Sequence, residues 1–186
     1  MDASDAIRRR RSIRKFTDRV ISRDEIERVL EAAALAPNHR MTQPWRFHVL
    51  GPESRRAYGA ALGERKARKI EDAAAAQLVR DKVAGEHAGL PAMIVVAMVQ
   101  DENPEIREED YASVMMAIQN LSLVATELGL GTHIKSGAVM EDPAARAAAG
   151  VAGDQRIVAV VNIGEPAEVP EPKERARAAA HTVWLP

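Results

Sequence analysis

The chain has 186 residues, 46% of them apolar and 28% charged, which is ordinary globular usage with enough length to bury a self-sufficient core. Its 26 basic and 27 acidic residues leave a formal charge of −1, so no global field draws it to nucleic acid or to an anionic membrane. With no cysteine, disulfides, thiolate nucleophiles, Cys-ligated zinc and iron–sulfur clusters are excluded.

A short helix is expected over residues 3–10. Ser22 followed by Glu25 forms a capping box for a second helix, whose apolar face is Ile26, Val29, Leu30, Ala33 and Ala34. That helix should stop at Ala36, because Pro37 disfavours helical geometry before it. Residues 45–50 alternate large apolar with polar side chains, as a half-buried strand does, and Gly51-Pro52 closes it. Residues 53–86, rich in Ala, Glu, Lys and Arg, predict one or two exposed helices. Residues 93–99 show no alternation, the pattern of a central strand covered on both faces.

Residues 108–128 predict the most apolar helix, burying Val114, Met115, Ile118, Leu121, Ala125 and Leu128, with Gly129 at its C-terminal turn. A short strand follows at 132–134. Asp142-Pro143 starts a helix that ends near Gly150, and residues 157–163 are a second buried strand. The tail, with Pro170 and Pro172 and ending Val183-Trp184-Leu185-Pro186, packs poorly on itself and should lie against another surface, a partner subunit being one candidate. The expected class is α+β, one domain over residues 1–186. The longest apolar run, residues 92–99, is far short of the ~20 residues that cross a membrane. No apolar leader follows the acidic N-terminus, so a cytoplasmic protein is the expectation.

Three segments carry candidate chemistry. Residues 8–23 hold Arg8, Arg9, Arg10, Arg11, Arg14, Lys15, Arg19 and Arg23 against Asp18 alone. Within them, Arg10-Arg11-Ser12-Ile13-Arg14 reads either as a phosphate cradle or as a solvated basic helix end. The loop through Ala36-Pro37-Asn38-His39-Arg40-Met41-Thr42-Gln43-Pro44-Trp45 crowds groups able to hydrogen-bond a heterocycle between a helix and a strand. The turn Gly129-Leu130-Gly131-Thr132-His133-Ile134-Lys135-Ser136-Gly137 reads as a close backbone approach to a ligand or as a plain helix cap before a strand. The acidic residues, including the run 101–110, look like solubility charge. Neither metal-ligand spacing among the five histidines nor a nucleophile elbow is present, so an organic cofactor is the expected reactive centre, with no catalytic side chain assigned.

In this order the three segments resemble the nitroreductase family of FMN-dependent oxidoreductases, in its short single-domain branch. Arg10-Arg11-Ser12-Ile13-Arg14 is similar to the family's opening motif, and Pro37-Asn38-His39 through Gln43-Pro44-Trp45 to its loop entering the first strand. Lys135-Ser136-Gly137 and residues 157–166 resemble its later cofactor turn and last central strand. The resemblance implies a mostly antiparallel sheet flanked by helices, a long central helix, and a homodimer with FMN at the subunit interface. It implies that Arg10, Arg11, Ser12 and Arg14 hold the phosphate and ribityl chain. It also implies that Pro37, Asn38 and His39 reach the flavin across the interface, that Ile134, Lys135 and Ser136 lie against it, and that Gln43 and Gly137 belong to the cofactor-binding set. NADH or NADPH would give hydride to FMN, which would pass it by a ping-pong route to a nitroaromatic or quinone acceptor. No metal, nucleic acid or membrane partner is implied.

Two departures bear on this. Met41 stands where many members have a flavin-contacting asparagine. Of the tail cations Lys173, Arg175 and Arg177, none is singled out as the phosphate-holding residue that longer members carry near the C-terminus. Alternatives of other classes are a flavin-binding storage or sensing protein without turnover, a nucleic-acid-binding module using residues 8–23, and a flavin-cleaving or dehalogenating specialisation.

Overall fold

The two uninterrupted apolar runs form the middle of a four-stranded sheet in the computed structural model, which describes residues 1–186. β2 (Ala92–Val99) pairs with β4 (Gln155–Gly164), β1 (Trp45–Val49) lies outside β2, and β3 (Gly131–Lys135) lies outside β4. Every pairing is antiparallel, so the expected α+β class, with its mostly antiparallel sheet, is met throughout.

Helices cover both faces. On one, α2 (Arg23–Ala34) and α5 (Pro104–Glu127) bury Val29, Ala33, Val114, Ile118 and Leu121 against Ile94, Val96 and Val161. On the other, α3 (Pro52–Ala67) and α6 (Pro143–Ala148) bury Tyr58, Ala61 and Ala145 against Met93, Val95 and Val160. Adjacent residues of β2 thus go to opposite cores, as the pleat dictates. α1 (Ala3–Arg9) packs on α5, and α4 (Ala73–Ala88) packs on α3. None of these helices is long and apolar enough to cross a membrane.

The capping box at Ser22 forms in both directions: Ser22 Oγ accepts from the Glu25 amide at 3.2 Å and Glu25 accepts from the Ser22 amide at 2.9 Å. Several expectations need correction. α2 ends at Ala34, two residues early, and Ala34 is exposed. α5 begins at Pro104 because Asn103 caps it, and Met115 is exposed on its outer face. Residues 53–86 form two helices, within the expectation of one or two, but they are not simply exposed. Gly59 and Gly63 let α3 approach α4 so closely that a Cβ on Gly59 would lie 2.7 Å from His87 Cβ. The small residues read as propensity are the seam of this hairpin, burying Tyr58, Val83 and His87.

Burying His87 has a consequence for stability. Its Nδ1 donates to the Val83 carbonyl at 2.8 Å. Burial holds the ring below the ordinary histidine pKa, and Lys135 and Lys66 push the same way. His133 is lowered too, by burial first and then by Lys135 and Arg14. The unfolded chain takes up these protons near pH ~6.5 and the folded chain resists them, so their contribution is complete above that pH and falls away below it. The thermal midpoint is expected to drop between about pH 7 and pH 5, with a shallower slope in His87→Gln. A midpoint that stays constant over that range contradicts the assignment.

Candidate functional site

The N-terminal basic segment leaves α1 at Arg10, whose amide closes the helix on the Ala6 carbonyl and whose φ of −53° and ψ of 129° turn the chain into extended geometry. Arg11 Nη1 donates to the Arg8 and Arg10 carbonyls at 2.7 and 2.8 Å, satisfying acceptors at the helix end. Ser12 then bridges to Thr132 of β3, and the Ile13 amide donates to the Thr132 carbonyl at 2.9 Å. Phe16 bridges to Pro166, and the Thr17 amide donates to the Glu165 carbonyl at 2.9 Å. Residues 12–17 are therefore stitched across the end of the sheet, against β3 and the exit from β4.

Extended backbone alternates its side chains. Ile13 is buried, set against Gly131 so tightly that a Cβ there would lie 2.2 Å from Ile13 Cγ1. Ser12 and Arg14 consequently face out, with Arg10 and Arg11, into an open cavity of about 940 Å³. Arg8 and Lys15 join them. The opposite wall is the tail, held by the Ala167 amide on the Lys15 carbonyl at 3.0 Å and by Lys15 Nζ on Glu168 at 2.8 Å. That wall brings Lys173 and Arg175 to the cavity but not Arg177. All but one of the lining side chains are polar, charged or proline. An anionic group with several oxygen acceptors suits such a lining: guanidiniums fork onto it, and the Ser12 hydroxyl can donate to it.

The loop after α2 is ordered by Asn38. Its Nδ2 donates to Thr42 Oγ1 at 3.1 Å and to Ser113 Oγ at 3.3 Å, and its Oδ1 accepts from the Gln43 amide at 2.7 Å. Thr42 Oγ1 in turn donates to Asp110, a carboxylate 3% exposed. This clamp holds Met41 and Gln43 at φ of 52° and 46°, a left-handed geometry that costs side-chain-bearing residues about 1–2 kcal/mol each. Strain of that kind gathers at binding sites. Pro37, His39, Met41 and Gln43 stay exposed. Asp110 corrects the reading of the 101–110 acids as solubility charge; nothing in the sequence separated it from its exposed neighbours except its three-residue spacing to Ser113. Asn38→Ala should speed hydrogen exchange at residues 39–43 severalfold and cost about 1–3 kcal/mol, while β2 and β4 keep their protection. Unchanged exchange in the loop would refute the clamp.

At the third segment, Ile134 and Lys135 point to opposite sheet faces, Ile134 beside Val161 and Lys135 beside Val160. Lys135 is half-buried, and its amine is pushed down chiefly by burial, with Lys66 adding and Glu86 opposing. Ser136 is exposed, and Gly137 has a φ of 146°, in the region glycine favours. The Ser12 bridge to Thr132 thus brings the first and third segments to one edge of the sheet. The second segment stands apart. None of Pro37, Asn38, His39 and Gln43 lines the cavity, and Ile134, Lys135, Ser136 and Gly137 do not line it either, although the Ser12 bridge holds their strand beside it. Asp110 at the loop and Gln119 at the cavity are nine residues apart on α5, roughly 14 Å at 1.5 Å per residue. Gln119 was not singled out from sequence, and Arg8 and Lys15 were named only as members of the basic run.

The chain resembles known proteins over most of its length. The "Putative NAD(P)H nitroreductase YfhC" of Bacillus subtilis is 36% identical over 176 residues, 92% of this chain and 88% of that protein. The crystal structure of a nitroreductase-like family protein from Bacillus cereus superposes with a TM-score of 0.85 at 32% identity, covering 100% of this chain and 96% of that one. A Desulfovibrio desulfuricans chain crystallised in complex with FMN superposes with a TM-score of 0.73 at 25% identity, over 98% of this chain and 96% of that one. The match to the family described as "Nitroreductase family" runs over residues 7–165, from the basic segment to the end of the last strand, and the chain belongs to that family.

Proposed function

We propose that two copies of this chain form an FMN-dependent oxidoreductase that takes hydride from NADPH or NADH and reduces a small organic acceptor of the nitroaromatic or quinone type by a ping-pong route. The observation that carries this reading is the cradle itself: Arg10, Arg11, Ser12 and Arg14 presented together to a cavity by pairing with β3. When bound, FMN supplies the hydride chemistry that no side chain of this chain can.

The protein's part is positioning and electrostatics. Arg10 and Arg14 would grip the phosphate, the Ser12 hydroxyl would donate to it, and Arg11 would hold the turn. Ile134, Lys135, Ser136 and Gly137 continue from the strand beside Ser12, where the ring would extend. A lysine there favours charge developing near ring N1. The loop bearing Pro37, Asn38, His39 and Gln43 does not line its own chain's cavity, and a second copy would bring it over the flavin. Met41 offers a thioether in place of an amide at that wall. The outer face of α5 supports the dimer, with Tyr111, Met115 and Met116 all more than a third exposed, and so does Trp184, 90% exposed at the end of the tail.

The test is direct. Purified protein should be yellow, dimeric by light scattering, and bleached by NADPH or NADH under nitrogen, with colour restored by a quinone. Protein that stays colourless after incubation with FMN refutes the reading.

A further inference from the structure

Asp110 is only 3% exposed on α5 and has no part in the chemistry assigned above. A buried carboxylate is costly unless hydrogen bonds hold it. Its donors are neutral, and both come from the loop after α2: Thr42 Oγ1, and Asn38 Nδ2 at 3.4 Å. Arg40 of the same loop pairs with Glu109 instead, at 2.9 Å. The carboxylate is therefore directed at the conformation of the loop rather than at a cation.

The polarity of these bonds sets that conformation. A hydroxyl has one proton to give, and Thr42 Oγ1 lies within reach of two acceptors, Asp110 Oδ1 and, at 3.2 Å, Asn38 Oδ1. The carboxylate is the stronger acceptor and takes the proton. Thr42 Oγ1 is left to accept from Asn38 Nδ2 at 3.1 Å. Ser113 Oγ also accepts from Asn38 Nδ2, at 3.3 Å, because its own proton goes to the Glu109 carbonyl at 3.0 Å. Surrounded by acceptors, the Asn38 amide stands one way round, with Oδ1 toward the Gln43 amide at 2.7 Å. That bond pins the left-handed backbone at Gln43. The Met41 amide, on the Asn38 carbonyl at 3.3 Å, closes the same turn. An amide at position 110 would release the Thr42 proton to Asn38 Oδ1, in competition with Gln43. The product of the relay is a fixed surface, with Met41 70% exposed on strained backbone.

We propose that Asp110 is a positioning residue for the redox reaction: through Thr42 and Asn38 it fixes Met41 and Gln43 as the wall on which an acceptor rests against the flavin of the partner copy. This inference rests on the flavin reading above. A wall set in advance spares the bound acceptor the entropy of ordering it, so the effect falls on the acceptor KM more than on kcat.

The test uses the FMN-loaded protein with a quinone acceptor and saturating nicotinamide donor. Asp110→Asn should raise the quinone KM about tenfold and leave kcat within about threefold, the effect of weakening one charge-assisted hydrogen bond. The visible circular dichroism of bound FMN, which reports the surroundings of the ring, should change with it. Thr42→Val, at an exposed position and lacking the hydroxyl, should reproduce these effects, and Thr42→Ser should recover most of the loss. Because both variants break one relay, Asp110→Asn/Thr42→Val should be no worse than the worse single variant. Parental KM and circular dichroism in Asp110→Asn overturn the proposal even if the thermal midpoint falls, since the carboxylate would then only hold the fold. If that variant does not fold, Thr42→Val decides by the same two readouts. Effects that multiply in the double variant overturn the proposal as well. Protein that takes up no FMN overturns this inference and the flavin reading together; yellow protein that turns over with parental quinone KM in both single variants overturns this inference alone.

Discussion

Replacing Arg10 and Arg14 together by alanine is expected to weaken FMN binding by about a hundredfold or more while barely moving the thermal midpoint. The two side chains face the cavity and form none of the hydrogen bonds that hold the fold, in contrast to Arg11, whose guanidinium is spent on two backbone carbonyls. A hydrogen bond to a charged group contributes about 1.5–3 kcal/mol, and losing one such contact from each arginine multiplies to at least two orders of magnitude in Kd. The stability of the chain is set by the two cores on either side of β2, which neither residue enters. Flavin fluorescence titration gives the affinity, and calorimetry gives the midpoint. Unchanged affinity would mean that the guanidiniums are a solvated helix end.

Gly131→Ala is expected to damage fold and cofactor binding together. The added methyl would fall 2.2 Å from Ile13 Cγ1 and 2.7 Å from its Cβ, and contacts below 3.0 Å force something to shift. Ile13 is 2% exposed and cannot retreat into a packed core. The strain therefore goes into the backbone, where the bond from the Ile13 amide to Thr132 registers the cradle on β3. Overpacking of this kind costs roughly 1–3 kcal/mol, and the displaced segment should lose FMN affinity as well. Gly129→Ala is the contrasting case. Its φ of 75° makes alanine strained by about 1 kcal/mol, but nothing lies within 4 Å of the new methyl, so FMN binding should persist. Urea melts and flavin titration of both variants, with Ile13→Ala added to Gly131→Ala as the rescue, separate the two effects. Full stability and full affinity in Gly131→Ala would contradict the packing argument.

These two residues mark where the sequence was readable and where it was not. The capping box at Ser22, the cap and proline at Asp142-Pro143 and the apolar runs of β2 and β4 are local signals, and each element formed where its signal lay. The grouping of Arg10, Arg11, Ser12 and Arg14 at one cavity was legible for the same reason, since they fall within five consecutive residues. What was missed is long-range. Gly59 and Gly63 look like weak helix residues until α4 is laid against them. Asp110 looks like one more exposed acid until Thr42 and Asn38, some 70 positions earlier in the chain, close on it. The tail cations could not be ranked from sequence because their selection depends on the anchor between Lys15 and Glu168, 153 residues apart.

Riboflavin differs from FMN by lacking the phosphate, and so isolates the grip proposed for the N-terminal guanidiniums. Parallel titrations of the flavin-free protein should give FMN an affinity at least about a hundredfold above that of riboflavin, with the gap shrinking as salt is raised. Equal affinities for the two flavins would contradict the account.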